Sequence, residues 1–375
     1  VSAPPDAPSP ALRSLFPQPA PFQAETFPVG DGHLLSVRQY GHAAGQPVLV
    51  LHGGPGSGAS PLLARFFDPA RFRVILVDQR GAGLSQPAGA LEANTTAHLV
   101  GDLCRLRRHL RLERWLVAGG SWGATLALAY TLDDAKAVSG LLLRSMFLAR
   151  HGDIVSFFDG AARGRPAVWQ RLVAEAMRSQ AHATPAASPD AGHVPVAGLL
   201  EGLAAQLGSP EAAERERAAL AWRAWEQWLS DPAAGLSTAG TGGTTHADGK
   251  DGTGATGATD ATDTTDAKGA STAPDVAALV QRYRVQAHYL RHGCWLNGPD
   301  LLARCSRLPQ VPTLLLHGTG DRICPPAGAA ALAERLPHAR LGWVQGAGHD
   351  PTHPAMIDAM VAATQLFAQT GALHR

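Results

Sequence analysis

Short, wholly apolar runs that stop at glycine or a polar residue constrain this chain more than any other feature. VLVL at 48–51, VILV at 74–77 and LVA at 116–118 are too short for buried helices and lack the polar alternation of a strand with one wet face. A strand covered on both faces has this composition. Between the second and third runs lies NTTAHLVGDLCRLRRHL, in which Leu99, Leu103, Leu106 and Leu110 recur at spacings of four, three and four. That period lines one side of a helix, and Asn94 or Thr95 stands where its N-cap belongs. LLL at 141–143, TLLL at 313–316 and LGWV at 341–344 extend the strand series, with the helix-compatible stretch 329–336 separating the last two. This alternation predicts a mostly parallel, doubly wound α/β sheet.

Residues 150–305 interrupt the rhythm with longer segments of helical spacing. They read as a helical cap inserted after the sixth strand region, over the carboxyl edge of the sheet where α/β proteins bind ligands. The core is then 1–149 with 306–375. Within the cap, 237–272 consists almost wholly of Gly, Ala, Thr and Asp, with no large apolar residue. Such a tract cannot offset its ordering entropy, which predicts a disordered insertion.

With 375 residues, 45% of them hydrophobic, the chain can bury one large core. Its 32 basic and 31 acidic residues give a net charge of +1, leaving no global field to attract nucleic acid or an anionic membrane. The four cysteines, at 104, 294, 305 and 324, have neither metal-ligand nor CxxC spacing and read as reduced core thiols. VSAPPDAPSPALRSLFPQP lacks a basic and then apolar signal pattern, and no run reaches the ~18 apolar residues of a membrane span. The expectation is a cytoplasmic protein; the oligomeric state is open.

AGGSWGA, at 118–124, follows the third strand run and precedes an alanine-rich helical stretch. Glycines at 119, 120 and 123 permit a tight strand-to-helix turn that would expose Ser121. A serine hydroxyl needs a histidine to remove its proton and a carboxylate to orient that histidine. In α/β-hydrolases the chain order is nucleophile, acid, histidine. Asp321 follows the run 313–316 in HGTGDRICP, and His349 follows 341–344 in QGAGHDPTH. LHGGPG at 51–56 ends the first strand run; Gly54 is the expected oxyanion donor, joined by the backbone of Trp122. His52 and His317 precede the acid in the chain and read as structural, while Asp350 and His353 read as solvated loop residues. The serine argues against relatives of this fold that attack with a carboxylate.

The blocks LHGGPG, VDQRGAGLSQP, NTTAHLVGDLCRLRRHL, GGSWGATLALAY, LLLRSMFLAR, AWRAWEQW, VQAHYL and GAGH, in that order, resemble those of the proline iminopeptidases. These are serine peptidases of the α/β-hydrolase fold. The resemblance implies removal of an amino-terminal proline from a peptide or small amide, without metal or cofactor. It also implies two cap glutamates that hold the substrate's amino terminus. The first matches Glu226, in a block with Trp222 and Trp225; these three and Leu229 fall at i, i+3, i+4 and i+7. An alternative for Glu226 is pairing with an arginine such as Arg223. At the second glutamate's position stands Gln286, on a stripe with Leu279, Tyr283 and Leu290, and Leu290 replaces an aromatic. Phe147, with Phe157 or Phe158, matches the proline-ring pocket, and GTGD departs from the family's usual GRYD. These departures keep two alternatives open: a related amide or ester hydrolase, possible in specialised metabolism, and a binding protein built on the same fold.

Overall fold

The computed structural model describes residues 11–18, 20–160, 162–164, 166–178, 194–231, 275–296 and 300–374. The tract 237–272 lies outside the described residues. The strands are β1 (Gln23–Gly30), β2 (His33–Gly41), β3 (Gln46–Leu51), β4 (Phe72–Val77), β5 (Trp115–Gly120), β6 (Val138–Arg144), β7 (Thr313–Gly318) and β8 (Arg340–Val344). Among the described residues they form one sheet in the order β1-β2-β4-β3-β5-β6-β7-β8. From β4 to β8 every neighbouring pair is parallel, and β1 and β2 add an antiparallel edge.

Composition explains this layout. Every residue of β5 and β7 is buried, as continuous apolar strands require when helices cover both faces. In β2, by contrast, His33, Leu35 and Val37 are buried while Leu34 is exposed. That alternation belongs to an edge hairpin with one wet face, and it contains no continuous apolar run like those of the central strands. The hairpin turns through Gly30, Asp31 and Gly32, all at positive φ (88°, 54° and 76°).

Helices α1 (Thr96–His109), α2 (Trp122–Asp133), α9 (Pro326–Arg335) and α10 (Pro354–Thr370) flank the sheet and help build apolar layers on its two faces. Of the two expected caps, Thr95 accepts the amide of His98 at the start of α1. Asn94 instead donates its side-chain amide to the carbonyls of Arg80 and Ala90. Arg80 is fully buried and joins three segments: it forms a two-pronged bond to Asp102 of α1 (2.6 and 2.8 Å), reaches Asp31 in the hairpin turn at 3.0 Å, and donates to the Ala93 carbonyl.

Between β6 and β7 the chain forms α3 (His151–Phe157), α4 (Ala167–Arg178), α5 (Val196–Leu207), α6 (Ala212–Ser230), α7 (Val276–Arg291) and the short α8 (Leu301–Arg304). Helices α4 to α7 pack on one another. Trp222 of α6 stacks on Tyr283 of α7 at 5.2 Å and meets Phe158 edge-on. Helix α7 also binds the core, since the Tyr289 ring packs edge-on to Trp122 and its hydroxyl donates to Asn94 Oδ1 at 2.8 Å. Among the described residues no helix is long and apolar enough to cross a membrane.

Candidate active site

The turn from β5 into α2 holds Ser121 at φ 56° and ψ −125°, a conformation that side-chain-bearing residues rarely adopt. Two glycines make it possible. A Cβ on Gly119 would lie 2.4 Å from the Gly123 carbonyl oxygen, and one on Gly123 would lie 2.2 Å from that of Leu51. The Ser121 amide donates to the Arg144 carbonyl at 3.0 Å, anchoring the turn to the end of β6. Ser121 therefore stands at the carboxyl edge of the sheet.

Asp321 follows β7 and is almost wholly buried. Its carboxylate accepts from His349 Nδ1 at 2.9 and 3.1 Å and from the amides of Ile323 and Cys324. Burial alone would raise its pKa, but His349 and the backbone donor hold it below the usual carboxylate range. His349 follows β8 in a loop whose His349 carbonyl accepts from Arg144 Nη1 at 2.7 Å. Burial disfavours the imidazolium, yet the adjoining Asp321 carboxylate outweighs it and puts the histidine's pKa well above its ordinary value. With Nδ1 committed to Asp321, Nε2 is the nitrogen left for proton transfer. Ser121 Oγ lies 3.8 Å from Cys324 Sγ, and among the described residues no hydrogen bond joins it to His349. Catalytic contacts are often loose before substrate arrives. The buried Cys324 thiol is pushed up by desolvation, which keeps it protonated.

The other two histidines at strand ends have structural partners. His52 Nε2 accepts the Gln79 amide and its Nδ1 faces the Gly53 carbonyl; burial keeps its pKa low. His317 accepts the Met146 amide and donates to the Cys324 carbonyl.

Trp122 opens α2, so its amide has no intrahelical acceptor. Gly54 lies in the loop after β3 at φ +50°. The preceding residue, Gly53, abuts Ser121: a Cβ there would sit 3.2 Å from Ser121 Cβ. Gly54, the donor expected from the sequence, is the next residue along the loop.

Glu226 of α6 and Gln286 of α7 do meet. Gln286 Nε2 donates to Glu226 Oε1 at 2.8 Å, while Arg282 Nη2 and the Tyr283 hydroxyl each reach Oε2 at 2.9 Å. The arginine beside Glu226 is thus Arg282 from the next cap helix, not Arg223 on its own. Arg282 and Gln286 are four apart and share a helix face, but the spacing alone does not say that Glu226, on another helix, is their common partner. Phe147, at the end of the β6 loop, is buried, and its carbonyl accepts from Thr125 Oγ1. Trp225 has the contacts of a packing residue. It is fully buried, donates to the Phe157 carbonyl at 3.1 Å and lies against Trp169 and Trp228.

Fold and site together define the class, a serine hydrolase of the α/β-hydrolase fold, and the model of the alpha/beta hydrolase fold family matches residues 46–353. The chain is 35% identical to a proline iminopeptidase of Xanthomonas citri over 359 residues, covering 95% of this chain and 100% of that protein. It is 32% identical to a proline iminopeptidase of Arabidopsis thaliana, covering 94% and 82% of the two chains. The chain belongs to the proline iminopeptidase family. Among solved structures, an alpha/beta fold family hydrolase from Bacillus anthracis str. Sterne superposes with a TM-score of 0.54 at 16% identity, covering 92% of this chain and 100% of that one.

Proposed function

We propose that the protein is a serine aminopeptidase that releases amino-terminal proline from peptides through an acyl-enzyme on Ser121. The observation that carries this reading is the strained Ser121 turn at the sheet edge shared with the Asp321–His349 pair, in a chain whose relatives are named proline iminopeptidases.

Ser121 Oγ attacks the prolyl carbonyl carbon while His349 Nε2 takes its proton. Asp321 holds the imidazole by Nδ1–H and stabilises the imidazolium. The amides of Gly54 and Trp122 receive the oxyanion, a contribution of about 2.7 to 4 kcal/mol per donor in comparable sites. His349 then protonates the departing amine, and water, activated by the same nitrogen, releases proline. Glu226, Gln286, Phe147 and Trp225 belong to the amino-end subsite and its support. A core of 1–149 with 306–375 carries the chemistry, and a cap of 150–305 carries that subsite. The substrate is a peptide or small amide with a free amino terminus. Four free thiols fit a reducing compartment and favour the cytoplasm.

A second reading, a hydrolase of another amide or ester, is favoured by the Glu226–Arg282 ion pair. A panel of amino-acyl anilides and simple esters tests the choice: proline anilide as the best amide supports the first, and esters without an amine as the sole substrates support the second.

A further inference from the structure

We propose that Gln79 is a positioning residue of the oxyanion hole: its buried side-chain amide ties the loop that carries Gly54 to the helix start that carries Trp122. This inference rests on the oxyanion roles given to those two residues in the reading above, and not on which acyl group the enzyme takes.

Asp78, Gln79 and Arg80 are consecutive buried polar residues directly after β4. The outer two build the scaffold, Asp78 by pairing with Arg38 and Arg80 by pairing with Asp102. Between them the Gln79 backbone is held in place, and its carbonyl accepts the Ala82 amide at 3.0 Å. The Gln79 side chain turns instead to the candidate site. Its Nε2 donates to the His52 carbonyl at 3.2 Å, and its Oε1 accepts from the Trp122 indole at 2.8 Å. An indole N–H only donates and a carbonyl only accepts, so the amide has one permitted orientation.

Two peptide planes carry this order to the first donor. The His52–Gly53 peptide is fixed by the bond from Gln79 Nε2 to its carbonyl. The Gln79 backbone amide donates to His52 Nε2 at 3.2 Å, which leaves the proton of the neutral ring on Nδ1; burial lowers the ring's pKa and favours that neutral form. Nδ1–H then donates to the Gly53 carbonyl at 3.0 Å. In a trans peptide the N–H points opposite to the C=O, so the Gly54 amide points away from the buried His52 ring. Among the described residues it donates to no protein acceptor. On the other side, Trp122 opens α2, and its indole bond fixes that helix start against Gln79.

Packing alone does not call for an amide here, since a methionine of similar length would fill the space. What the amide adds is a fixed separation between the β3 loop and the start of α2. The loop already touches the nucleophile turn, where Gly53 abuts Ser121; Gln79 joins the same two segments by hydrogen bonds. Site groups must be held to within roughly 0.5 Å of the productive geometry, and a misplacement of about 1 Å costs on the order of a hundredfold in rate.

The test compares wild type, Gln79→Met, Trp122→Phe and the double variant on whichever of proline anilide and a simple acetyl ester the wild type cleaves, with active sites counted by fluorophosphonate titration. Gln79→Met should lower kcat per active site about 10- to 100-fold while changing KM less than about threefold, since the oxyanion donors act mainly in the transition state. Binding of the trifluoromethyl ketone of the same acyl group, which forms a tetrahedral adduct on Ser121 and puts an oxyanion in the hole, should weaken by the same factor. A purely structural role would lower the melting temperature or the count of titrated sites and leave kcat per site and ketone affinity unchanged; that result would overturn the proposal. Trp122→Phe keeps the backbone donor and removes the indole N–H. It should lower both quantities roughly three- to tenfold, and the double variant should be no worse than Gln79→Met, because both changes break one link. Losses that multiply would contradict that link. If Gln79→Met fails to fold, Trp122→Phe decides, and unchanged kcat and ketone affinity in it overturn the proposal. Ester cleavage without anilide cleavage removes the aminopeptidase reading but not this inference, which the ester data then decide; cleavage of neither removes both.

Discussion

Ser121 sits in a backbone conformation that costs on the order of 1–3 kcal/mol and persists only because its surroundings enforce it. Its side chain contributes little packing, so Ser121→Ala should leave the unfolding midpoint nearly unchanged while lowering kcat by about a thousandfold or more. Thermal melts and anilide kinetics on one preparation check both halves, and a variant with near-normal turnover removes the nucleophile assignment. His349 provides the next test. In the proposed mechanism the working base is the neutral imidazole, and Asp321 raises its pKa, so the acid limb of kcat/KM for a simple acetyl ester should lie above the ordinary value of about 6.5. The sign for stability is opposite. A raised histidine pKa stabilises the fold fully below the unfolded value and less as pH rises through the folded value. Asp321, with its lowered pKa, stabilises above the unfolded carboxylate value and loses that contribution only in acid. Ester hydrolysis should rise, and the His349 contribution to stability decline, across one pH window; His349→Gln should abolish this component of the melting curve. Ser121, Asp321 and His349 were legible because each follows its own strand in a recognisable local pattern. Arg282 was not, because its partner Glu226 lies 56 positions away on another helix.

The β5–α2 turn works through backbone contacts that admit no side chain. Gly123→Ala would force a Cβ to 2.2 Å from the Leu51 carbonyl oxygen and 2.9 Å from that of His52. Neither atom is the tip of a flexible side chain, so β3 must move away from α2. Overpacking of this kind typically costs about 1–3 kcal/mol, and it would displace the loop that carries Gly53 and Gly54. The expected result is a lower denaturation midpoint together with loss of hydrolysis; a variant with wild-type stability and rate would refute this account of the turn. The pair formed by Arg80 and α1 makes a separate prediction. Asp102→Ala leaves a buried guanidinium without its two-pronged partner, and breaking buried pairs costs about 3–5 kcal/mol. Urea unfolding should expose a loss of that size, and a loss below about 1 kcal/mol, the level of surface pairs, would contradict it. At this scale the sequence revealed the buried parallel strands and α1 through their apolar periods. It hid the β1–β2 hairpin, whose alternation looks unremarkable residue by residue.

Across the molecule, the parallel strands deliver the candidate site residues to one edge of the sheet. Gly54 follows β3, Ser121 follows β5, Phe147 follows β6, Asp321 follows β7 and His349 follows β8. This convergence could be anticipated from the order of the motifs, because parallel strands all end on the same side. The cap could not be read as fully. Helical spacing marked its segments, but which faces meet depends on packing between helices distant in sequence, as with Trp225, whose indole is used up inside the cap. The central claim is that one serine at this edge carries the hydrolysis of proline substrates. Titrating the protein with a fluorophosphonate, while following proline anilide turnover and mapping the label by mass spectrometry, tests it most directly. Turnover should fall in proportion to labelling and vanish at one label per chain, on Ser121. Turnover that survives full labelling of Ser121, or that is lost with the label elsewhere, would contradict it.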